Sequence, residues 1–234
     1  MRFAIIAAGQ GARLAHEGVA TAKPLVSIGG ERLIERLVRI FMHCGASSIS
    51  IIINDQHPAT RQCVEQLRQQ GLPISYMVKS TPSSMHSLYE LSPLLEGDEP
   101  FVLTTVDTVF HEAEFRHYVE QWQQLQATTD GLMGITSYID DEKPLYVSID
   151  DKQQITAFND YDPQPRYVSG GIYGLTPASL SILRACIKRG ESRMRNFQRA
   201  LLASRLRLQA WQFSKVLDID HASDILKAEE FLCR

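Results

Sequence analysis

The sequence predicts an α/β fold: a mostly parallel central sheet flanked by helices, with a small antiparallel hairpin inserted in the second half. Three observations predict it. The run Arg2–Ala8 is apolar throughout after Arg2, as in a strand covered on both faces of a parallel sheet. Stretches with strand and helix patterning then alternate through the first half of the chain, which argues for right-handed βαβ units. Two short runs about a polar turn in "LYVSIDDKQQITAF", Leu145–Phe158, mark the hairpin.

The elements follow in order. Glu31–Cys44 places Leu33, Ile34, Leu37, Ile40 and Phe41 at helical spacing and stops at Gly45, a residue suited to the position just past a helix end. Ser48–Ile53 reads as the second strand. Pro58–Gln70 begins on proline and stops before Gly71, the start and stop signals of a helix. Ile74–Val78, Ser84–Leu95 and Phe101–Thr105 read as strand, helix and strand. In the second half Tyr167–Leu175 reads as a strand, Pro177–Lys188 and Arg193–Ser204 as helices, Val216–Asp218 as the end of a last strand, and His221–Leu232 as an amphipathic closing helix. No repeat, low-complexity tract or linker divides the chain, so residues 1–234 read as one domain with the hairpin as an insertion or lid.

At 234 residues the chain can bury a core without disulfide or metal staples. Its 44% hydrophobic and 22% charged residues exclude a disordered or fibrous class. A net charge of −3 argues against nucleic acid and membrane as partners. Cys44, Cys63, Cys186 and Cys233 lie far apart without a C-x-x-C pair, as expected of reduced packing thiols. No run approaches the ~18 apolar residues of a membrane span, and the opening strand is too short and wrongly flanked for a signal peptide, so a cytoplasmic location is expected.

Function is concentrated in "FAIIAAGQGARLAHEGVATAKPL", Phe3–Leu25. Ligands of open parallel sheets collect at the carboxyl ends of the strands, where glycines let backbone N–H groups approach phosphate oxygens. The G-x-x-x-x-G-K-[ST] string of a P-loop is absent. A dinucleotide fingerprint also fits poorly, because its sixth position is Leu14 and Glu17–Pro24 reads as an extended polar loop with no helix directly after the glycines. Instead "AAGQGARL…AKPLVSIGGERLIERLV" resembles the A-A-G-x-G-x-R…P-K-P-L motif of the sugar-1-phosphate and cytidylyl nucleotidyltransferases, with Ala22 where the family has proline. The resemblance implies the Rossmann-like, glycosyltransferase-A-like fold of nucleotide-diphospho-sugar transferases, with a nucleotide-binding half (1–110) and an acceptor-binding half (130–234). It further implies that Ala7, Ala8, Gly9 and Gly11 contact base and ribose through the main chain while Arg13 and Lys23 bind the triphosphate. The residue types suit the reaction: attack on an α-phosphorus builds charge on the phosphate oxygens and the departing pyrophosphate, which positioned cations stabilise.

Mg²⁺ needs only one or two carboxylates beside substrate phosphates. The segment "FVLTTVDTVF" ends the fourth strand near Asp107, where the resembling family holds its metal. The tail "VLDIDHASDILKAEEFL" resembles the family's D-x-D/G-T-P-E-D-L pattern, and Asp218 and Asp220 compete to be the second ligand. Asp220 is preferred because it directly precedes the helix, although His221 replaces the usual threonine. Asp224 reads as a first-turn acid facing the helix dipole. For a glycosyltransferase of the same fold, Thr105-Val106-Asp107 offers only one carboxylate of a D-x-D motif.

The acceptor side is less sharply defined. "STPSSMHSLYEL", Ser80–Leu91, resembles the N-T-x-x-S-L-Y stretch of phosphocholine and related cytidylyltransferases and so favours CTP; Ser83, Ser84 and Ser87 would contact the base or a phosphate, or else cap the helix. "VSGGIYGL" resembles the N-A-G-I-Y stretch beside the acceptor, with Gly170 and Gly171 permitting close approach and Ser169 in place of asparagine. Lys143, Arg193 and Arg195 are candidate acceptor-phosphate partners. The expected activity is Mg²⁺-dependent joining of a nucleoside triphosphate to a sugar 1-phosphate or other phosphorylated small alcohol, giving an NDP-sugar or CDP-alcohol and pyrophosphate. A non-catalytic nucleotide-sensing module is the competing expectation, and homo-oligomer formation is left open.

Overall fold

The computed structural model of the protein describes residues 1–233. In chain order its first half comprises β1 (Arg2–Ala7), α1 (Ala12–His16), β2 (Ser27–Ile28), β3 (Glu31–Arg32), α2 (Leu33–His43), β4 (Ser48–Ile53), α3 (Pro58–Gln69), β5 (Ile74–Val78), α4 (Ser84–Leu91), β6 (Phe101–Thr105) and β7 (Thr108–Val109). The second half adds α5 (Glu112–Leu125), β8 (Gly131–Thr136), β9 (Tyr146–Ile149), β10 (Ile155–Asn159), β11 (Val168–Leu175), α6 (Ala178–Lys188), α7 (Met194–Ala203), β12 (Leu208–Phe213), β13 (Leu217–Asp218) and α8 (Ala222–Leu232).

One nine-stranded sheet carries the order β10-β9-β11-β6-β1-β4-β5, with β8 paired to β11 and β12 paired to β8. The strands of the first half pair in parallel, β6 to β1 to β4 to β5, as the alternating pattern predicts. The continuous apolar run of β1 has a direct cause: Phe3, Ile5 and Ala7 enter the core on one face of the sheet, and Ala4 and Ile6 enter the core on the other. On the first face Phe3 stacks on Phe41 of α2 with ring centroids 4.4 Å apart, and Phe110 stacks on Phe115 of α5 at 4.5 Å. On the second face α4, α6 and α7 contribute Leu88, Leu183 and Phe197.

Several elements differ from the sequence reading. A five-residue helix, α1, follows Gly11 directly, whereas an extended loop was expected there; the loop begins only after it. The segment Ser84–Leu95 splits into α4 and a 3₁₀ turn at Ser92–Leu95, since Pro93 has no N–H to continue the ladder. Glu31 and Arg32 pair with β2 before α2 begins. The hairpin is no separate lid: β9 and β10 extend the edge of the sheet beyond β11. Its turn is closed by Asp150, whose carboxylate accepts the N–H groups of Lys152 and Gln154.

The additional α5 places Phe115, Tyr118, Val119 and Trp122 on its buried face at i, i+3, i+4 and i+7 within an otherwise polar, glutamine-rich segment. The additional β8 contains Gly131 and Gly134, which weaken a strand signal. Packing explains them: a Cβ on Gly134 would lie 3.0 Å from both Ile172 and the Phe213 ring. All four cysteines are free thiols, with Cys63 and Cys186 buried. Among the described residues no helix is long and apolar enough to cross a membrane.

Candidate active site

The parallel register of β1 with β4 and β6 brings three carboxyl ends together, and the site is built on them. Gly11 caps α1 with φ +63°, and a Cβ there would press to 3.3 Å from Lys23 Cβ, so glycine is needed both for its backbone and for the close approach. The loop before it is held by Asn54 at the end of β4. This buried side chain donates from Nδ2 to the Ala8 carbonyl at 2.9 Å, and its Oδ1 accepts from Ser80 Oγ at 2.9 Å. A single 3₁₀ turn at Lys23–Leu25, with Pro24 buried, fixes where Lys23 leaves the backbone.

The tail reaches the site through a two-stranded ribbon. β13 pairs antiparallel with β7, setting Asp218 opposite Thr108, and the Ile219 N–H donates to the Asp107 carbonyl at 3.1 Å. Thr105 and Thr108 share a hydroxyl hydrogen bond of 2.6 Å, and Thr108 Oγ1 donates to Asp218 Oδ1 at 3.3 Å. The N-terminus of α8 follows at once. Asp224 accepts the backbone N–H of His221 at 2.8 Å and of Asp220 at 3.2 Å, satisfying donors that have no partner within the helix.

These two constructions converge on Lys23. Its Nζ lies 2.6 Å from Asp107 Oδ2 and 2.6 Å from Asp220 Oδ1, while Arg13 Nη1 donates to Asp220 Oδ2 at 2.9 Å. Burial opposes charge on Lys23, but Asp107 and Asp220 outweigh it and hold the ammonium well above its usual range. Burial likewise acts to raise the Asp107 carboxyl, yet the Lys23 ammonium prevails and keeps it below the ordinary carboxylate range. Asp218, exposed at the cleft mouth, forms no ion pair among the described residues, and Lys23 lowers it only in part. Crowding by protein, then the neighbouring charges of Asp107 and Asp220, push its carboxyl up to about 8.

The convergence lies between two cavities. One, of about 350 Å³, is lined by Ala7, Gly9, Gly11, Ser84, Lys23 and Asp107, a size in the range of small-molecule sites. The other, of about 260 Å³, is lined by Arg13, Tyr138, Gly170, Asp218, Asp220 and Lys227.

The nucleotidyl transferase family model matches residues 3–234. The chain belongs to that family. No curated protein matches the sequence. Among solved structures, a protein assigned as a glucose-1-phosphate thymidylyltransferase from Bacillus anthracis superposes with a TM-score of 0.84 at 21% identity, covering 99% of this chain and 95% of that one. The inositol-1-phosphate CTP transferase of T. maritima superposes with a TM-score of 0.75 at 16% identity, covering 99% and 97%. At these identities the two likenesses are likenesses of fold.

In this nucleotidyltransferase, Arg13, Lys23, Asp107 and Asp220 come together, with Asp218 beside them on the ribbon. Ala7, Gly9 and Gly11 line the first cavity, whereas Ala8 is buried and presents its carbonyl to Asn54. Ser83 and Ser84 both line that cavity, but the Ser83 hydroxyl is engaged as the cap of α4, accepting the His86 N–H. Ser87 is buried and bonded to Thr81 at 2.6 Å. Gly170 lines the second cavity. Gly171 sits behind it with φ +71°, kinking β11 where its register against β8 shifts between Ser169 and Tyr173.

Arg195 is not brought to the cleft, and Lys143 does not line it, although its neighbours Glu142 and Pro144 do. Arg195 pairs with Asp160 and donates to the Lys143 carbonyl at 2.8 Å, and together with Arg193 it lines a separate surface groove near Arg199. The competition of Asp160 for both Arg195 and Arg199 was not legible from spacing. Ser169 donates to buried Gln198 on α7 at 3.0 Å, which accounts for serine here. Asn54, Thr108 and Gln198 were missed by sequence reasoning. Only the His221-x-x-Asp224 spacing carried a readable signal, that of a capping box.

Proposed function

We propose that the protein is a Mg²⁺-dependent nucleotidyltransferase joining a nucleoside triphosphate to a sugar 1-phosphate or other phosphorylated small alcohol and releasing pyrophosphate. The observation that carries this reading is the Lys23 ammonium 2.6 Å from carboxylates contributed by mid-chain Asp107 and tail Asp220, on the wall between two cavities. The cavity behind the glycine loop would take the nucleotide, and the one beneath Gly170 the acceptor. CTP is favoured by the Ser80–Leu91 stretch. The inositol-1-phosphate and glucose-1-phosphate transferases of like fold support a phosphorylated polyol as acceptor.

The donor set fits magnesium. It consists of hard carboxylate oxygens, and the Asp218 carboxyl, raised first by the surrounding protein and then by Asp107 and Asp220, stands beside negative charge that a divalent cation would relieve. Among the described residues no group of three or more His, Cys, Asp or Glu side chains is placed to hold a metal ion, so water and substrate phosphates would have to complete the shell. Asp107 and Asp220, with Asp218 adjacent, would hold it. Bound there, Mg²⁺ would supply charge neutralisation for the nucleotide phosphates.

The chain's own residues do the rest. The glycine loop and β1 end fix the nucleotide by main-chain contact, and the second cavity aims an acceptor phosphate oxygen at the α-phosphorus. As that oxygen bonds to phosphorus, the bond to the pyrophosphate bridging oxygen breaks. Arg13 and Lys23 exchange their carboxylate partners for the phosphate oxygens and stabilise the growing charge. No side-chain nucleophile and no proton transfer from the acceptor phosphate dianion is required. A cytoplasmic setting agrees with the free thiols and with soluble, charged substrates.

Pyrophosphate release tests this, with each of the four nucleoside triphosphates against hexose 1-phosphates, inositol phosphate and phosphocholine. Turnover with at least one pair, abolished by EDTA and by Asp107→Asn, is expected. Silence across the panel with tight nucleotide binding would favour the sensing module, and turnover that survives Asp107→Asn would overturn the metal assignment.

A further inference from the structure

The glycine-loop motif leaves Glu17 unexplained. It follows the last residue of α1 and its N–H donates to the Arg13 carbonyl at 3.1 Å, so it lies four residues beyond Arg13 on the same face. Both of its carboxylate oxygens reach the tail: Oε1 lies 2.6 Å from His221 Nδ1, and Oε2 accepts the Ala222 N–H at 2.6 Å. Arg13 meanwhile holds Asp220. One short helix near the start of the chain therefore grips three consecutive residues, Asp220, His221 and Ala222, more than two hundred positions away.

The division of labour at the start of α8 is what makes this more than a surface ion pair. Asp224 satisfies the Asp220 and His221 N–H groups from within the helix, and the next donor, Ala222 N–H, goes to Glu17. A negative carboxylate at a helix N-terminus is also favoured by the helix dipole. Asp220 is thus pinned on one side through its own backbone and on the other by a carboxylate anchored next to Arg13. The glycine loop is held by a different device, the Asn54 side chain on the Ala8 carbonyl.

We infer that Glu17 is a positioning residue for Asp220: by clamping the first turn of α8 to α1, it keeps the Asp220 carboxylate at the point where Lys23 and Arg13 meet it. The inference rests on reading the cleft as a nucleotidyltransferase site. Glu17 touches no reacting atom and acts through the His221 ring and the Ala222 N–H, the residues that directly follow Asp220. Its loss frees Asp220 and weakens the grip on metal, while nucleotide binding at the glycine loop is untouched.

Mn²⁺, a paramagnetic stand-in for Mg²⁺, titrated into the substrate-free protein and followed by electron paramagnetic resonance, gives a readout independent of activity. Glu17→Ala is expected to raise the Mn²⁺ dissociation constant and the half-saturating Mg²⁺ in pyrophosphate release by about tenfold, the usual cost of losing a ligand's supporting partner. At saturating Mg²⁺ the nucleotide KM should stay within about twofold of the native chain, the split expected of a group that does not touch nucleotide. Glu17→Gln, which keeps an acceptor for the Ala222 N–H, should recover most of the loss. Added to Asp220→Asn, Glu17→Ala should do nothing further, because the two act as one unit. Native Mn²⁺ affinity in Glu17→Ala, or full additivity with Asp220→Asn, overturns the inference. If Glu17→Ala does not fold, Glu17→Asp, one methylene too short to span both partners, carries the same comparison. A native chain that neither binds Mn²⁺ nor releases pyrophosphate would instead overturn the transferase reading on which Glu17's role depends.

Discussion

On the glycine-loop side, the cleft is walled by main chain and small side chains, Ala7, Gly9, Gly11 and Ser84, with Lys23 as its one lysine or arginine. On the other side Asp140, Asp141, Glu142, Asp218, Asp220 and Asp224 line the wall against Arg13, Lys227 and His221. Even there the cations are largely occupied, for Lys227 holds Asp140 at 2.8 Å and Arg13 holds Asp220. The difference teaches how the two walls recognise their ligands. The first offers backbone donors fixed by the sheet and suits a ligand whose charge is met at one end. The second offers charges already paired with one another and suits a ligand whose own phosphate can compete for those pairs.

The largest expected effect falls where the walls meet. Asp107→Ala removes the carboxylate supplied by the turn between β6 and β7, and kcat should fall by at least about 10³-fold in pyrophosphate release. Lys23→Ala should cost about 10² to 10³-fold. If either retains more than a tenth of native turnover, the two walls do not share a reacting centre. A smaller effect separates the walls. A Cβ on Gly9 meets nothing within 4 Å, so Gly9→Val should leave the melting temperature unchanged while raising the nucleotide KM by about tenfold or more. An unchanged nucleotide KM would mean the nucleotide does not lie on that loop.

The acidic wall should also show itself in pH dependence. The surrounding protein, then Asp107 and Asp220, raise the Asp218 carboxyl of the folded chain to about 8 from an ordinary value of 3.8. The folded state therefore binds more protons across that window, and the stability this group contributes is lost as pH rises toward 8. Solvent at the cleft mouth moderates the slope. Between pH 5 and 9 the melting temperature should decline less steeply in Asp218→Asn than in the native chain. Magnesium has to displace the same proton, so its half-saturation in pyrophosphate release should fall as pH rises to 8. An opposite trend in either measurement would place Asp218 outside the cluster. The smallest effect belongs to Arg195→Ala: tied to Asp160 away from the cleft, it should change the acceptor KM by less than about twofold.

Much of the fold was legible because the parallel half obeys local rules. The β4, β5 and β6 spans match the sequence reading residue for residue, since short apolar runs between glycine and proline signals admit few alternatives. The glycine loop and the aspartate ending β6 were legible for the same reason. What could not be read was partnership at long range. Arg195 looks like a phosphate ligand until Asp160 claims it, and Ala8 looks like a nucleotide contact until Asn54 takes its carbonyl. α5 and β12 carry their apolar residues among glutamines, and only packing against Phe3 and Leu132 reveals their place.

The ribbon of β7 and β13 sets Thr108 against Asp218, closing a span of 110 positions. The cleft is therefore complete only while the tail stays paired to the middle of the chain through this short ribbon. Denaturant mild enough to loosen two-residue strands but not the nine-stranded sheet should abolish turnover while far-ultraviolet circular dichroism is still unchanged.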